Sequence, residues 1–162
     1  MVGSQQALLV LIAIGLGAGQ CRSSGAAPQS DWRVRELGHS WQGGSDTPQT
    51  VVIRDSATFH AAWLRLFPPA TRPPEMPQID FRIERVFLVA SGTRPTGGFR
   101  VALSDAAALR DSAIIGVTLF TPAAGCAVTE ALTSPAVVLA VPVAPVPFRV
   151  TSHERPDTVR CN

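Results

Sequence analysis

Arg85 to Ser91, RVFLVAS, is an almost continuous apolar run bounded by charge on one side and Gly92 on the other. A run this short, rich in β-branched and aromatic residues, suits a central strand. Its neighbours must then be strands too. Phe99 to Ser104 alternates Phe99, Val101 and Leu103 against Arg100 and Ala102. Ala113 to Thr121 is another β-type run, with Gly116 read as a bulge. Ala136 to Val143 and Phe148 to Ser152 complete the set, and Pro142, Pro145 and Pro147 keep the last stretch at an edge. Upstream, Trp32 to Trp41 sets Trp32, Val34 and Leu37 against Arg33 and Arg35. A turn over residues 43–48 leads to a short strand, Thr50 to Arg54. One segment is helical. Phe59, Trp63 and Phe67 recur at i, i+4 and i+8, Asp55 or Ser56 can cap the first turn, and Pro68-Pro69 ends it. The sum is an α+β domain, mainly antiparallel β and sandwich-like, with one amphipathic helix on a flank.

Fourteen arginines face 12 acids, for a net charge of +2. That balance excludes a nucleic-acid binder that works by neutralising many phosphates. With 46% hydrophobic and 16% charged residues, the body of the chain is not intrinsically disordered. The only asparagine is Asn162, so no N-glycosylation sequon exists.

Residues 7–19, ALLVLIAIGLGAG, contain no charge. They fall short of the roughly 20 residues a spanning helix needs and suit the apolar region of an export signal. Ala18-Gly19-Gln20-Cys21 resembles the lipobox of bacterial lipoproteins, although Gln20 stands where a small residue is usual. The alternatives are lipidation at Cys21, which would anchor the chain in a membrane, and plain cleavage near Gly19 or after Ala26/Ala27. The organisation is a lipoprotein-like signal over 1–20, a small polar tether over 21–30, and one domain over 31–162. The expected place is the cell envelope, membrane-anchored or secreted. With Cys21 lipidated or removed, Cys126 and Cys161 remain, the pattern of one disulfide in an oxidising compartment. The rival reading is a reactive Cys126.

Catalytic signatures are weak throughout. Gly38-His39-Ser40-Trp41-Gln42-Gly43 misses the nucleophile-elbow spacing by one residue. His39, His60 and His153 are not at metal-ligand spacing with one another or with Cys or Glu. Gly92 to Gly98 lacks the Lys-Ser/Thr ending of a phosphate loop. No catalytic residue, metal site or cofactor is assigned, and the expectation is a protein that is not an enzyme.

Two segments are unusual for plain scaffold. Gly92 to Phe99, GTRPTGGF, is a tight turn from which Arg94 and Thr96 are expected to point outward. Pro122 to Pro135, PAAGCAVTEALTSP, is too long for a minimal hairpin. Arg94-Pro95-Thr96-Gly97-Gly98-Phe99 with Val101, Gly125-Cys126-Ala127-Val128-Thr129, Ala131-Leu132-Thr133-Ser134-Pro135 and Val141-Pro142 together resemble the C-terminal domain family of the protease-complex subunit PrcB. The likeness extends over roughly Val51 to Phe148, taking in the aromatic helix and Asp80-Phe81. It implies an exported, non-catalytic protein that binds an envelope partner and supports a surface protease complex. The binding residues expected from it are Arg94, Pro95, Thr96, Gly97, Gly98, Phe99, Thr129, Thr133 and Ser134. Pro95 to Phe99 also resembles one loop of chagasin-like protease inhibitors. A protease inhibitor and an envelope scaffold are therefore the alternative functions.

Overall fold

The computed structural model describes residues 32–68 and 74–158. The segments expected to be signal and tether, with Cys21 and Cys161, lie outside them. The element order is β1 (Arg35–Ser40), β2 (Pro48–Ile53), α1 (Ser56–Leu66), β3 (Glu84–Ser91), β4 (Arg100–Ala108), β5 (Ala113–Pro122), β6 (Ala136–Pro142) and β7 (Phe148–Asp157). They form two sheets, ordered β1-β6-β3-β2 and β4-β5-β7. The α+β, sandwich-like reading holds.

β3 and β6 lie side by side at the centre of the first sheet, antiparallel, from Glu84 opposite Pro142 to Ala90 opposite Ala136. Each is buried on both faces. Val86, Leu88, Ala90, Ala136 and Val138 face a cluster with Phe59, Trp63, Leu66 and Phe67 of the helical segment. Phe87, Val89, Val137, Leu139 and Val141 face Val101, Ile115, Val117 and Leu119 of the second sheet. The layers are thus helix, sheet, sheet. This explains why β3 and β6 read as unbroken apolar runs while β4 alternates.

α1 begins where Asp55 accepts a hydrogen bond from Thr58 N–H at 2.8 Å, which satisfies one of the free donors of the first turn. Its stripe of Phe59, Trp63 and Leu66 is buried, and Trp63 packs against both Phe59 and Phe67. The Leu66 carbonyl lies 3.0 Å from the Ser40 hydroxyl that donates to it, tying the helix end to β1. Ahead of β3, the Asp80 carboxylate accepts from the Arg82 backbone and guanidinium, which holds its pKa down at about 2.

Several local expectations are corrected. The first strand starts at Arg35, not Trp32, and a register shift between Glu36 and Gly38 switches its inward side. Trp32 and Val34 pack between the sheets, whereas Leu37 packs on the helix side. The second strand starts at Pro48 instead of Thr50, which an edge strand permits because an outward proline breaks no ladder bond. The bulge lies on β4, between Leu103 and Asp105, opposite Gly116 and not at it. The missing side chain of Gly116 leaves room for the Asp105 carboxylate. β7 does sit at an edge, but it pairs parallel with β5. The chain passes through β6 of the other sheet before returning, which supplies the crossover a parallel pair needs.

The parallel register ends with Pro122 beside Asp157. Cys126 and Cys161 each follow four residues later in sequence, and Cys126 stands as a disulfide cysteine and not as a free thiol. Trypsin digestion without reductant is expected to release the peptide 111–149 carrying the Cys161-Asn162 dipeptide. Recovery of that peptide without the added mass would remove the expected pairing. Replacing the buried Trp63 by alanine is expected to cost about 3–5 kcal/mol in a urea unfolding curve, because the stripe loses its largest side chain.

Candidate functional site

Three connections meet at one end of the sandwich: residues 41–47 between β1 and β2, residues 92–99 between β3 and β4, and residues 123–135 between β5 and β6. Each leaves peptide groups without a strand partner, and they satisfy one another. Arg94 N–H donates to Thr133 O at 2.7 Å, and Thr133 N–H returns a bond to Arg94 O at 3.0 Å. Gly97 N–H donates to Thr129 O at 2.9 Å. The Thr133 hydroxyl, buried, donates to Thr96 O at 2.8 Å. Ser134 reaches the third connection. Its N–H donates to Trp41 O at 3.0 Å, its hydroxyl to Ser45 O at 2.8 Å, and it accepts from Ser45 N–H at 2.9 Å. Thr93 N–H donates to Asp46 O at 3.1 Å and closes the ring.

The glycines make this closeness possible. A Cβ on Gly97 would collide with the Thr129 hydroxyl. Gly98 has φ +82°, a left-handed conformation that disfavours side chains, and it lies against Pro122 and Val128.

The expected binding residues fall into two groups. Gly97, Gly98, Phe99, Thr129 and Thr133 line an open groove of about 360 Å³ with His39, Ser40, Trp41 and Arg100. Pro95 is exposed beside it. Arg94, Thr96 and Ser134 do not line the groove. Arg94 and Thr96 do not point outward, and that expectation is corrected. The Arg94 guanidinium turns back to donate to Ser91 O at 3.0 Å and lies 5.7 Å from the centre of the Phe99 ring. Thr96 is half-buried, with its carbonyl taken by Thr133. A turn whose polar groups must find partners inside the fold folds its side chains back as well.

Trp41 was not among the residues the sequence singled out, yet it lines the groove. It is 60% exposed, and Leu132, next to Thr133, is 69% exposed. Large apolar side chains this open, beside a rigid ring of hydrogen bonds, suit contact with another protein. The available signal was the apolar Trp41 ahead of a Gly-rich turn. On the same side, Arg100 is held by Asp157 at 3.3 Å and stacks on Phe120 at 4.0 Å, with Arg155 over the same ring at 4.8 Å. Of the residues considered for catalysis, Ser40 bonds to the helix end and His39 Nδ1 lies 3.1 Å from the Glu36 carboxylate. Among the described residues no group of His, Cys, Asp and Glu is placed to hold a metal ion.

Residues 85–142 match the family model described as PrcB C-terminal. Over that segment the chain is similar to the PrcB C-terminal family. The match is shorter than the likeness drawn from the sequence: it runs from β3 to the end of β6 and leaves out β1, β2, α1 and β7. It contains both central strands and two of the three connections that build the groove. No curated protein and no solved structure matches the chain.

Replacing Gly97 by alanine is expected to part the 92–99 turn from the 123–135 connection. Cleavage at Glu130 by a glutamyl endopeptidase should then quicken, with the core transition little changed. An unchanged cleavage rate would mean that the two segments do not depend on this contact.

Proposed function

We propose that this protein is a non-catalytic binding module of the cell envelope, exported and held there by a lipid on Cys21, that supports a surface protease complex. The observation that carries this reading is a coincidence of place. The PrcB-type segment, 85–142, supplies most of the groove that exposed Trp41 lines, and exposed Leu132 lies in the adjoining depression that shares Thr133 with it. The groove is shallow and pre-formed, so a partner that docks there loses little entropy in ordering it. Trp41 and Phe99 in the groove, with Leu132 and Pro95 beside it, form the apolar contact surface, and Thr129 and Gly98 offer polar groups at the rim. Arg94, Thr96 and Ser134 serve as the frame. The absence of catalysis is supported by the use made of Ser40, whose hydroxyl holds the helix end, and of Cys126, which is in disulfide form.

The test is a pull-down of the tagged full-length protein from its native envelope, read by mass spectrometry. A double variant, Trp41→Ser with Leu132→Ser, runs beside it. Both side chains are exposed, so the variant is expected to keep the melting temperature of the unaltered chain. A protease recovered with the unaltered chain and lost with the variant is the expected result. A protease retained by the variant would move the contact away from the groove. Failure to recover any protease with the unaltered chain would overturn the regulatory reading.

A further inference from the structure

The two sheets leave four edges, and three of them are guarded against pairing. β1 carries Arg35 and Glu36 and a register shift. β4 has its bulge and Asp105. β7 carries Arg149, His153, Glu154, Arg155 and Pro156. β2 has neither charge nor bulge, and its one proline, Pro48, stands at its first position. Its sequence, PQTVVI, is uncharged, its register with β3 is unbroken, and every residue except Ile53 is exposed.

The direction of its free peptide groups follows from the ladder. Ser91 N–H donates to Pro135 O, on the β6 side of β3. Its opposite number Pro48 therefore turns its own peptide groups away from β3, and Thr50 and Val52 do the same by alternation. Among the described residues, Thr50 and Val52 thus each present a donor and an acceptor along an open, uncharged edge.

We propose that this edge is the interface to a second copy of the chain. The two β2 strands pair antiparallel about a twofold axis, with Val51 facing Val51 and Thr50 of each copy facing Val52 of the other. In this register all four outward-facing Thr50 and Val52 residues exchange their N–H and C=O groups. The sheet β1-β6-β3-β2 continues across the axis into its copy. Charge decides the direction. Exposed Asp46 precedes the strand and exposed Arg54 follows it. Antiparallel pairing sets Arg54 of one copy opposite Pro48 of the other, with Asp46 as its diagonal neighbour, and symmetry repeats the match. A parallel pair would bring Asp46 to Asp46 and Arg54 to Arg54. Asp55, beside Arg54, is occupied as the helix cap. The proposal stands independently of the protease-complex reading, since it uses the edge farthest in the sheet from β1 and needs no groove contact.

Cross-linking in the envelope tests it. The full-length chain with Val51→Cys is expected to give a band of twice the mass on a non-reducing gel, lost on reduction. The unaltered chain, and a chain with Leu109→Cys at the exposed β4–β5 turn, are expected to lack it. Adding Thr50→Pro to Val51→Cys is expected to abolish the band. That proline removes only an outward N–H, so the ladder with β3 survives. In sedimentation, the purified protein is expected to run as a dimer, and Val51→Lys as a monomer with an unchanged near-ultraviolet circular dichroism spectrum. Absence of the Val51→Cys band, an equal band from Leu109→Cys, or a dimer that persists in Val51→Lys would each overturn the proposal.

Discussion

The pairing of β3 with β6 is the contact on which the rest of the fold depends. Both strands are covered twice, by the helix on one side and by the second sheet on the other. Buried apolar area is the largest favourable contribution to folding, and these two strands place a side chain in one core or the other at nearly every position. Both cores contain residues of these two strands. Their pairing also fixes one end of two connections, since Ser91 leads into the turn and Ala136 receives the chain from the long loop, and these meet at the groove.

The groove is a consequence of that convergence. Connections leaving adjacent strands carry unpaired peptide groups into the same small volume, and burial makes those groups costly unless they find partners. Thr133, Thr129 and Ser134 supply them. Residues that look like contact residues in a linear reading, Arg94 above all, are drawn into the frame. What remains for a partner is what the frame does not use: the Trp41 and Leu132 side chains and the open face of Phe99.

The edges show a second division of labour. Charge and bulges guard β1, β4 and β7, while β2, uncharged and unbroken, turns the peptide groups of Thr50 and Val52 outward. The contrast has meaning only once strand order is known. In sequence, PQTVVI is an ordinary short strand, and nothing in it tells that its far side is uncovered.

The sequence by itself determined the elements. The apolar run at Arg85, the alternation from Phe99, the Phe59–Trp63 stripe and the Asp55 cap are local patterns, set by the period of the backbone and by short-range hydrogen bonding. The motifs of the PrcB C-terminal family are equally local, which is why they could be read before any fold was known. Tertiary structure alone decided the rest. The β1 bulge that turns Leu37 to the other core, the parallel return of β7, the inward fold of Arg94 and the place of Trp41 beside Thr133 all depend on neighbours distant in sequence. Such pairings are chosen by the joint burial of two faces and the mutual satisfaction of polar groups, and no single segment carries that information.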